Sequence, residues 1–308
     1  MRQIHDTLCG IFAFFLNIFL IFVVVRCTKP SLRSYSRMVM ICAVYDVVYS
    51  FVGLICQQDQ QQVDIYDGVY YTFSFGIDYY FPELVSPMLL STIQISLIVI
   101  AVTLIPTQFY YRHLLLTSTN AQNGRLIFAL CLSVISGSFV GLFGYVCRLE
   151  AQKRGREYYL NQLSARCKED YKDAFVNAID MRDPLTGSSL VYGTSLIIIS
   201  YAVAVYYGYR SLKLVRPANE SDIANNSRAV QLKSQFTRNM VIQSICAFAL
   251  SVLPTSLVGV STLMYFNSPI SNSSSMFSFA YLPIFNATSS LICIGPYRDY
   301  VKKILHLS

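Results

Sequence analysis

Charged side chains are scarce in this sequence. Only 13% of the 308 residues are Asp, Glu, Lys or Arg, whereas about a quarter of the residues in a soluble domain are charged. Hydrophobic residues make up 54% of the chain, and the mean hydropathy is +0.45. So little charge excludes an ordinary soluble globule of this length, and the composition predicts an integral membrane protein.

Motifs for catalysis and for nucleic-acid binding are also missing. The sequence has no zinc-ligand spacing, no phosphate-binding glycine loop and no aromatic RNA-binding box. Its three histidines, His5, His113 and His306, are scattered and form no metal-ligand pattern. The formal net charge of +7 does not indicate a nucleic-acid partner, because the basic residues lie mainly between apolar runs. We therefore expect no enzyme, no cofactor, no metal and no nucleic-acid ligand.

Seven apolar stretches are long enough to cross a membrane as helices, which takes about 20 residues. They cover residues 8–25, 38–56, 83–104, 126–146, 189–209, 240–260 and 276–294. One alternative extends the third stretch through Pro106 to Tyr111. Another treats the first stretch as a signal peptide, although the basic segment that follows it favours a retained helix. We predict an all-α membrane protein, a seven-transmembrane-helix bundle that forms one domain over residues 1–308.

Basic residues concentrate on one side of this predicted bundle. The segment Arg26–Arg37 contains four basic residues and no acid, whereas Met38–Tyr111 contains no Lys or Arg. When the loops are assigned alternately to the two sides, most of the Lys and Arg residues fall on the side of the first loop. The long loop Cys147–Ser188, on the other side, balances its basic residues with acids. The positive-inside rule therefore places the N-terminus outside and the C-terminus inside.

Three strongly polar residues fall at one depth of the predicted bundle. Asn17, Asp46 and Asn286 each lie eight residues from the inner end of their span, and a helix rises by about 1.5 Å per residue. A carboxylate at mid-membrane costs about 2.5–3.5 kcal/mol unless it finds partners. We expect an intramembrane polar cluster of these three residues. In the alternative, each bonds to its own helix.

The last residues, 296–307, form an amphipathic pattern. Pro296 suits the first turn of a helix because its missing N–H would have no partner there. The apolar residues of one face are Tyr297, Tyr300, Val301, Ile304 and Leu305, and the opposite face carries Arg298, Lys302 and Lys303. This spacing predicts a short eighth helix on the inner membrane surface, in contact with lipid headgroups. A frayed basic tail is the alternative.

Aromatic residues crowd the two segments 66–81 and 265–285 near the predicted outer surface. An interfacial aromatic belt explains such crowding in any membrane protein. Some of these residues are nevertheless expected to line a ligand pocket, since ligand sites are mostly apolar with a few polar groups. Our candidates for the pocket are Glu83, Gln94, Tyr281 and Phe285.

Cys167 falls in the predicted outer loop, and Cys147 lies at the start of that loop. Cys147 and Cys167 would lie in an oxidising compartment, where a disulfide bond is stable. Cys56 is an alternative partner for either one, and free thiols are a third possibility, because spacing alone does not choose a pairing.

Five short motifs occur in order along nearly the whole chain. They are FFLNIFLIFVV around Asn17, YDVVYS around Asp46, FYYRHLLL around Arg112, QLKSQFTRNMVIQ ahead of Pro254, and PYR at Pro296–Arg298. Together they resemble the nematode serpentine chemoreceptors of the Str superfamily. The resemblance implies a G-protein-coupled olfactory receptor in the plasma membrane of sensory cilia, which binds a small-molecule odorant outside and signals to a heterotrimeric G protein inside.

The resemblance also suggests which residues would couple to the G protein. The candidates are Tyr111, Arg112, His113, Lys233, Arg238 and Arg298. Arg112 is the foremost, because a planar guanidinium can bind carbonyl groups of a partner; a headgroup anchor is the alternative. In the rhodopsin-like pattern an acidic residue precedes this arginine. The sequence departs from that pattern, because Tyr111 precedes Arg112. The competing functions are an odorant-gated channel and a transporter, but inverted repeats are not evident.

Overall fold

A computed structural model of the chain describes most of its residues. The described residues are 2–28, 33–56, 63–66, 68–74, 87–117, 123–164, 175–215, 220–254, 256, 260, 264 and 269–306. The helices are α1 Arg2–Cys27, α2 Arg33–Cys56, α3 Pro87–Thr117, α4 Asn123–Gln152, α5 Arg156–Ser164, α6 Pro184–Val215, α7 Glu220–Ala247, α8 Pro269–Cys293 and α9 Gly295–Ile304. The strands are β1 Val63–Tyr66, β2 Val69–Ser74 and β3 Phe175–Asp180.

The predicted helical membrane fold is confirmed. Within the described part of the chain, 5 helices are long and apolar enough to cross a membrane, namely most or all of α1, α2, α3, α4 and α6. The predicted sixth span, 240–260, overlaps the end of α7 and its continuation, and the predicted seventh, 276–294, overlaps α8. As membrane spans, both stay predictions. We call the end of the bundle where α1 begins the outer end and the opposite one the inner end. These names follow the predicted orientation.

Helix α3 is longer than its predicted span and passes through Pro106 to Thr117. Proline removes one backbone hydrogen bond from a helix, and a membrane offers no water to replace it. Threonine hydroxyls supply extra bonds beside the proline: Thr103 Oγ1 donates to the carbonyl of Val99 at 3.1 Å, and Thr107 Oγ1 to that of Thr103 at 3.3 Å. The alternative that extended the third span through Pro106 was therefore the better one.

Glycine residues bring α3 and α4 into close contact. A Cβ atom on Gly141 would lie 1.8 Å from Ser96 Oγ, and one on Gly137 would lie 2.4 Å from Ile100 Cγ1. Small residues four positions apart are typical of helix pairs in membranes, because they let two backbones approach. The two glycines therefore let α3 and α4 pack with their backbones close together.

A three-stranded antiparallel sheet, ordered β1-β2-β3, covers part of the outer end. This sheet is not among the elements predicted from the sequence. The signal was present, because Asp-Gly at positions 67–68 separates two short runs rich in aromatic and β-branched residues, and Asp-Gly is a strong hairpin signal. Gly68 has a φ of 75°, a conformation that favours glycine.

Helix α7 does not end as a regular helix. It continues directly into a π-helical segment, Phe248–Val252, followed by Leu253 and Pro254 in α-helical form. Such π segments are rare and frequently lie near functional sites. The residues of α7 that precede it, at the inner end, form the interior contacts described next.

Candidate functional site

A polar contact joins α2 and α8 in the middle of the bundle. Asn286 Nδ2 donates to the Asp46 carboxylate, 3.1 Å from Oδ2 and 3.4 Å from Oδ1. The third residue of the predicted cluster does not take part. Asn17 instead donates to the backbone carbonyls of Ala13 at 2.9 Å and Pro283 at 3.2 Å. Equal depth was correct for the Asp46–Asn286 pair, but the rotation of α1 directs Asn17 to the backbone of α8.

Helix α7 extends this polar contact toward the inner end. Gln243 Nε2 donates to the Asn286 carbonyl at 2.9 Å and to Ser290 Oγ at 3.1 Å. Asn239 Nδ2 donates to the same hydroxyl at 3.1 Å. The side chains of α2, α8 and α7 thus form one seam of hydrogen bonds, which we call the polar seam: Asp46, Asn286, Gln243, Ser290 and Asn239.

Arg112 lies buried at the inner end, between α2, α3 and α7. Its side chain is 2% exposed, and its Nη2 donates to Thr237 Oγ1 at 2.6 Å. The guanidinium carbon lies 4.7 Å from the centre of the Tyr35 ring, a distance that gives a favourable cation–π contact. Arg112 therefore bridges three helices and does not point to lipid headgroups.

The residues next to Thr237 on α7 hold the final helix. Gln235 Oε1 accepts from the Gly295 N–H at 2.8 Å, so it caps the first turn of α9. The Phe236 ring lies between two aromatic rings, 5.9 Å from Tyr35 and 6.3 Å from Tyr297. We call this group the inner latch: Tyr35, Arg112, Gln235, Phe236, Thr237, Gly295 and Tyr297.

Tyr297 attaches the first turn of α9 to α2. Its hydroxyl donates to Ser36 Oγ at 2.8 Å, and its side chain is 1% exposed. Burial raises the pKa of the Tyr297 phenol, so the donor proton is held at neutral pH. The predicted membrane-facing role of Tyr297 was wrong, because this ring packs into the bundle. Ile304 and Leu305 are 44% and 59% exposed and remain available to lipid.

The other predicted coupling residues lie in different surroundings. Tyr111 is buried against Met38 and Leu126, so it is a core residue. The His113 ring lies 5.4 Å from that of Tyr207. Arg238 and Arg298 are exposed, whereas the side chain of Lys233 is outside the described residues.

The predicted ligand residues do not converge on one described pocket. Gln94 is buried on α3, and the Tyr281 hydroxyl lies 2.9 Å from His5 Nε2. Phe285 is 45% exposed and lies on the outer surface of α8, because the neighbouring Leu282 and Asn286 face the interior. A ligand role for Gln94, Tyr281 and Phe285 stays a prediction, and Glu83 lies outside the described part of the chain. The three interior cavities described, of about 10, 30 and 20 Å³, are too small for an odorant.

Of the possibilities left open for Cys147, the structure shows the free thiol and not a disulfide bond. Cys147 is a free, buried cysteine on α4, and its side chain lies beside Thr186 and Ser189 at the start of α6. Cys167 and the side chain of Cys56 are outside the described residues.

An ion-pair cluster fixes the outer sheet instead. The Asp180 side chain at the end of β3 is 2% exposed; its Oδ1 and Oδ2 accept from Arg182 Nε and Nη2 at 2.8 and 2.7 Å. Arg154, in the turn after α4, donates to Asp180 Oδ2 at 2.5 Å. Burial raises the pKa of the Asp180 carboxyl, but the hydrogen bonds from Arg182 and the two positive charges outweigh it, and the pKa lies below its usual value.

Sequence reasoning missed the α7 side of the site. Gln235, Asn239 and Gln243 recur at intervals of four, which places them on one face of a helix. This stripe of amides was the available signal. Polar residues near helix ends are usually solvated, so this stripe alone does not predict contacts inside the bundle.

A comparison with protein families gives one match. The family model described as the serpentine type 7TM GPCR chemoreceptor Str matches residues 2–302. No curated protein matches the chain.

Proposed function

The chain belongs to the serpentine seven-transmembrane chemoreceptor family Str, and we propose that it binds a small odorant near its outer end and signals to a heterotrimeric G protein at its inner end. Membership makes it a multi-pass membrane receptor of the G-protein-coupled class. Olfaction and a place in the plasma membrane of sensory cilia are the finer parts of the proposal.

The inner latch is the observation that supports coupling to a partner. A receptor needs two helix arrangements with different affinities for ligand and partner. In the described arrangement, Thr237 and Tyr35 hold the Arg112 guanidinium inside the bundle. A movement of α7 away from α3 would break the contact with Thr237 and free donors for the carbonyl groups of a G protein.

Charge at the inner end supports the same partner. Arg125, Arg210, Lys213 and Arg238 are exposed there, on α4, α6 and α7. Such a rim favours an acidic protein surface and also anionic headgroups. Lipid contact and G-protein contact are therefore compatible on this face.

The ligand is proposed to bind toward the outer end, near Gln94 and Tyr281. Both residues lie in helices of the bundle, and the Tyr281–His5 contact links α8 to the start of α1. A ligand that separates or tightens this contact would change the packing of α8. The same helix carries Asn286 and Ser290 of the polar seam.

The test is a calcium response to a panel of volatile compounds, in cells with and without heterotrimeric G proteins. We expect an odorant response that disappears in the cells without G proteins. Arg112→Ala is expected to abolish this response at equal surface expression, whereas Lys153→Ala, a change at an exposed cation in the turn after α4 and away from the inner end, retains it. An odorant-evoked current that persists without G proteins would contradict the proposal and favour a channel.

A further inference from the structure

An imidazole, a thiol and a phenol meet at the outer end of the bundle. His5 and Cys9 lie four positions apart on α1, so they share one face of that helix. Cys9 Sγ is 3.8 Å from His5 Nε2 and 4.0 Å from His5 Nδ1, and the Tyr281 hydroxyl of α8 is 2.9 Å from Nε2. No metal was expected from the sequence, where the histidines are scattered, but the fold places one of them between a cysteine and a tyrosine.

The spacing of His5 and Cys9 suits one tetrahedral zinc ion. Zinc binds thiolate sulfur at about 2.3 Å and imidazole nitrogen at about 2.0 Å, so the two atoms lie about 3.5 Å apart at a tetrahedral angle. The separation of 4.0 Å between Cys9 Sγ and His5 Nδ1 exceeds this only slightly, and rotation of the exposed His5 ring can close the difference. A thiolate with an imidazole also favours zinc over magnesium or calcium, which prefer oxygen ligands.

Tyr281 determines which ring nitrogen would face the metal. A metal-bound histidine usually donates its other ring N–H to an oxygen atom, which selects the tautomer and holds the ring. The Tyr281 hydroxyl is placed to accept from His5 Nε2, and this tautomer leaves the Nδ1 lone pair for a metal. The two ring centres are 5.9 Å apart. Tyr281 is therefore a positioning residue, and it brings α8 into the site.

We propose that the outer end of the receptor binds a zinc ion through Cys9 Sγ and His5 Nδ1, with Tyr281 holding the His5 ring. The Cys9 thiol loses its proton to bulk water when zinc binds, because the thiolate is the ligand. Within the described residues, no group of three or more His, Cys, Asp and Glu side chains is placed to hold a metal ion. This site has two such ligands, and water completes the tetrahedron around an exchangeable ion.

Bound zinc would hold the start of α1 against α8, because His5 would bind the metal and Tyr281 at the same time. The site does not depend on which odorant or G protein the receptor binds.

The experiment is a cobalt titration of the full-length receptor in detergent, purified through a tag without histidine, reduced, and freed of metal with EDTA. Co²⁺ replaces Zn²⁺ in tetrahedral sites and gives a near-ultraviolet charge-transfer band when a thiolate is bound. We expect a band that saturates at one Co²⁺ per receptor and disappears when Zn²⁺ is added. Cys9→Ser should remove it, whereas Cys131→Ser, a change at an exposed cysteine of α4, should retain it. A band that is absent in wild type or unchanged in Cys9→Ser would overturn the proposal.

The affinity for Co²⁺ tests the other two residues, in variants whose melting temperature without metal matches wild type. Tyr281→Phe should weaken binding by about 10–100-fold, as loss of a partner that orients a ligand does, and His5→Ala should weaken it at least as much. Tyr209→Phe, at a tyrosine 69% exposed on α6, should bind as wild type does. Wild-type affinity in His5→Ala or in Tyr281→Phe would overturn the proposed arrangement.

Protection of the cysteine gives a readout with zinc itself. Zn²⁺ should slow the modification of Cys9 by N-ethylmaleimide several-fold, as read by mass spectrometry, and leave that of Cys131 unchanged. Mg²⁺ should protect neither cysteine. Equal modification of Cys9 with and without Zn²⁺, or equal protection by Mg²⁺, would count against a zinc site.

Discussion

The Thr237 hydroxyl accepts a 2.6 Å hydrogen bond from Arg112, so α7 holds the cation that a cytoplasmic partner would bind. The acceptor in this contact is a neutral hydroxyl, and Tyr111 stands where the rhodopsin-like pattern has an acid. A neutral hydroxyl holds an arginine less strongly than a carboxylate does. If Arg112 binds the G protein as proposed, the resting state depends on the inner latch as a whole, including the Tyr35 ring.

Replacing Thr237 with Val is expected to raise the signal that the receptor gives without ligand. Valine keeps the shape but removes the acceptor, and a hydrogen bond to a charged group is worth about 1.5–3 kcal/mol. The active population should rise by about tenfold or more. The measurement is basal G-protein activation at equal surface expression. Thr237→Ser, which keeps the hydroxyl, should remain near wild type, and an unchanged basal signal in Thr237→Val would count against the latch.

The sequence predicted well what depends on depth along a helix. Apolar runs located the five described helices that are long and apolar enough to cross a membrane, and a constant rise per residue placed Asp46 level with Asn286. Arg112 could be singled out because a cation at the end of an apolar helix is conspicuous. Each of these features follows from the sequence of a single helix and does not require knowledge of its neighbours.

Prediction failed where the rotation of one helix against another decides the outcome. Phe285 faces outward and Tyr297 faces inward, although both are aromatic residues in apolar stretches. Asn17 bonds to α8 backbone and not to Asp46. Thr237 had no pattern of its own, since its partner lies 125 residues away in the sequence. Such pairings follow from packing between helices, which single-sequence periodicity does not specify.

The contact between Asp46 and Asn286 predicts that their mutations are not additive. Residues in direct contact show interaction energies of about 0.5–3 kcal/mol in a double-mutant cycle, whereas independent sites add within about 0.5 kcal/mol. We expect Asp46→Ala and Asn286→Ala together to cost less thermal stability than the sum of their separate effects. Asn17→Ala, which removes a separate contact with α8, should add to Asp46→Ala. Additive behaviour of the first pair would show that the contact is not energetically significant.

The buried Asp180 carboxylate predicts a pH-dependent contribution at the outer sheet. Because its pKa is depressed in the folded protein, the contribution is complete above the unfolded pKa of about 3.9 and is lost as the pH falls through the folded pKa. Asp180→Asn should therefore reduce the free energy of unfolding at pH 7 by about 1–3 kcal/mol. The measurement is the melting temperature of the purified receptor, which should fall.

The difference between Asp180→Asn and wild type should shrink below about pH 4. Asp183→Asn alters a neighbouring acid that accepts a longer, 3.4 Å bond from Thr186, so it should have a small effect throughout. An equal loss in Asp180→Asn and Asp183→Asn would mean that the arginine cluster does not matter.

Close packing of α3 and α4 predicts that Gly141→Ala impairs folding. The added Cβ would lie 2.8 Å from the Thr92 carbonyl oxygen as well as close to Ser96 Oγ, so backbone must shift. Overpacking of this kind costs about 1–3 kcal/mol. Surface expression and melting temperature should both fall. Gly144→Ala, where nothing lies within 4 Å of the added atom, is the matched control and should be neutral or stabilising, because alanine favours helix.

The exposed end of α9 gives a test of the membrane-surface helix. Ile304 and Leu305 are exposed on a helix whose first turn is held by Ser36 and Gln235, so their apolar side chains are free to enter the inner leaflet. Removing a side chain of this size from lipid costs about 1.5–3 kcal/mol. Ile304→Asp with Leu305→Asp should release the end of α9 and reduce surface delivery and signalling. His306→Asp places one negative charge on a neighbouring exposed polar position and should be tolerated. Equal behaviour of the two variants would mean that lipid does not hold this helix, and that the contacts of Tyr297 alone keep α9 in place.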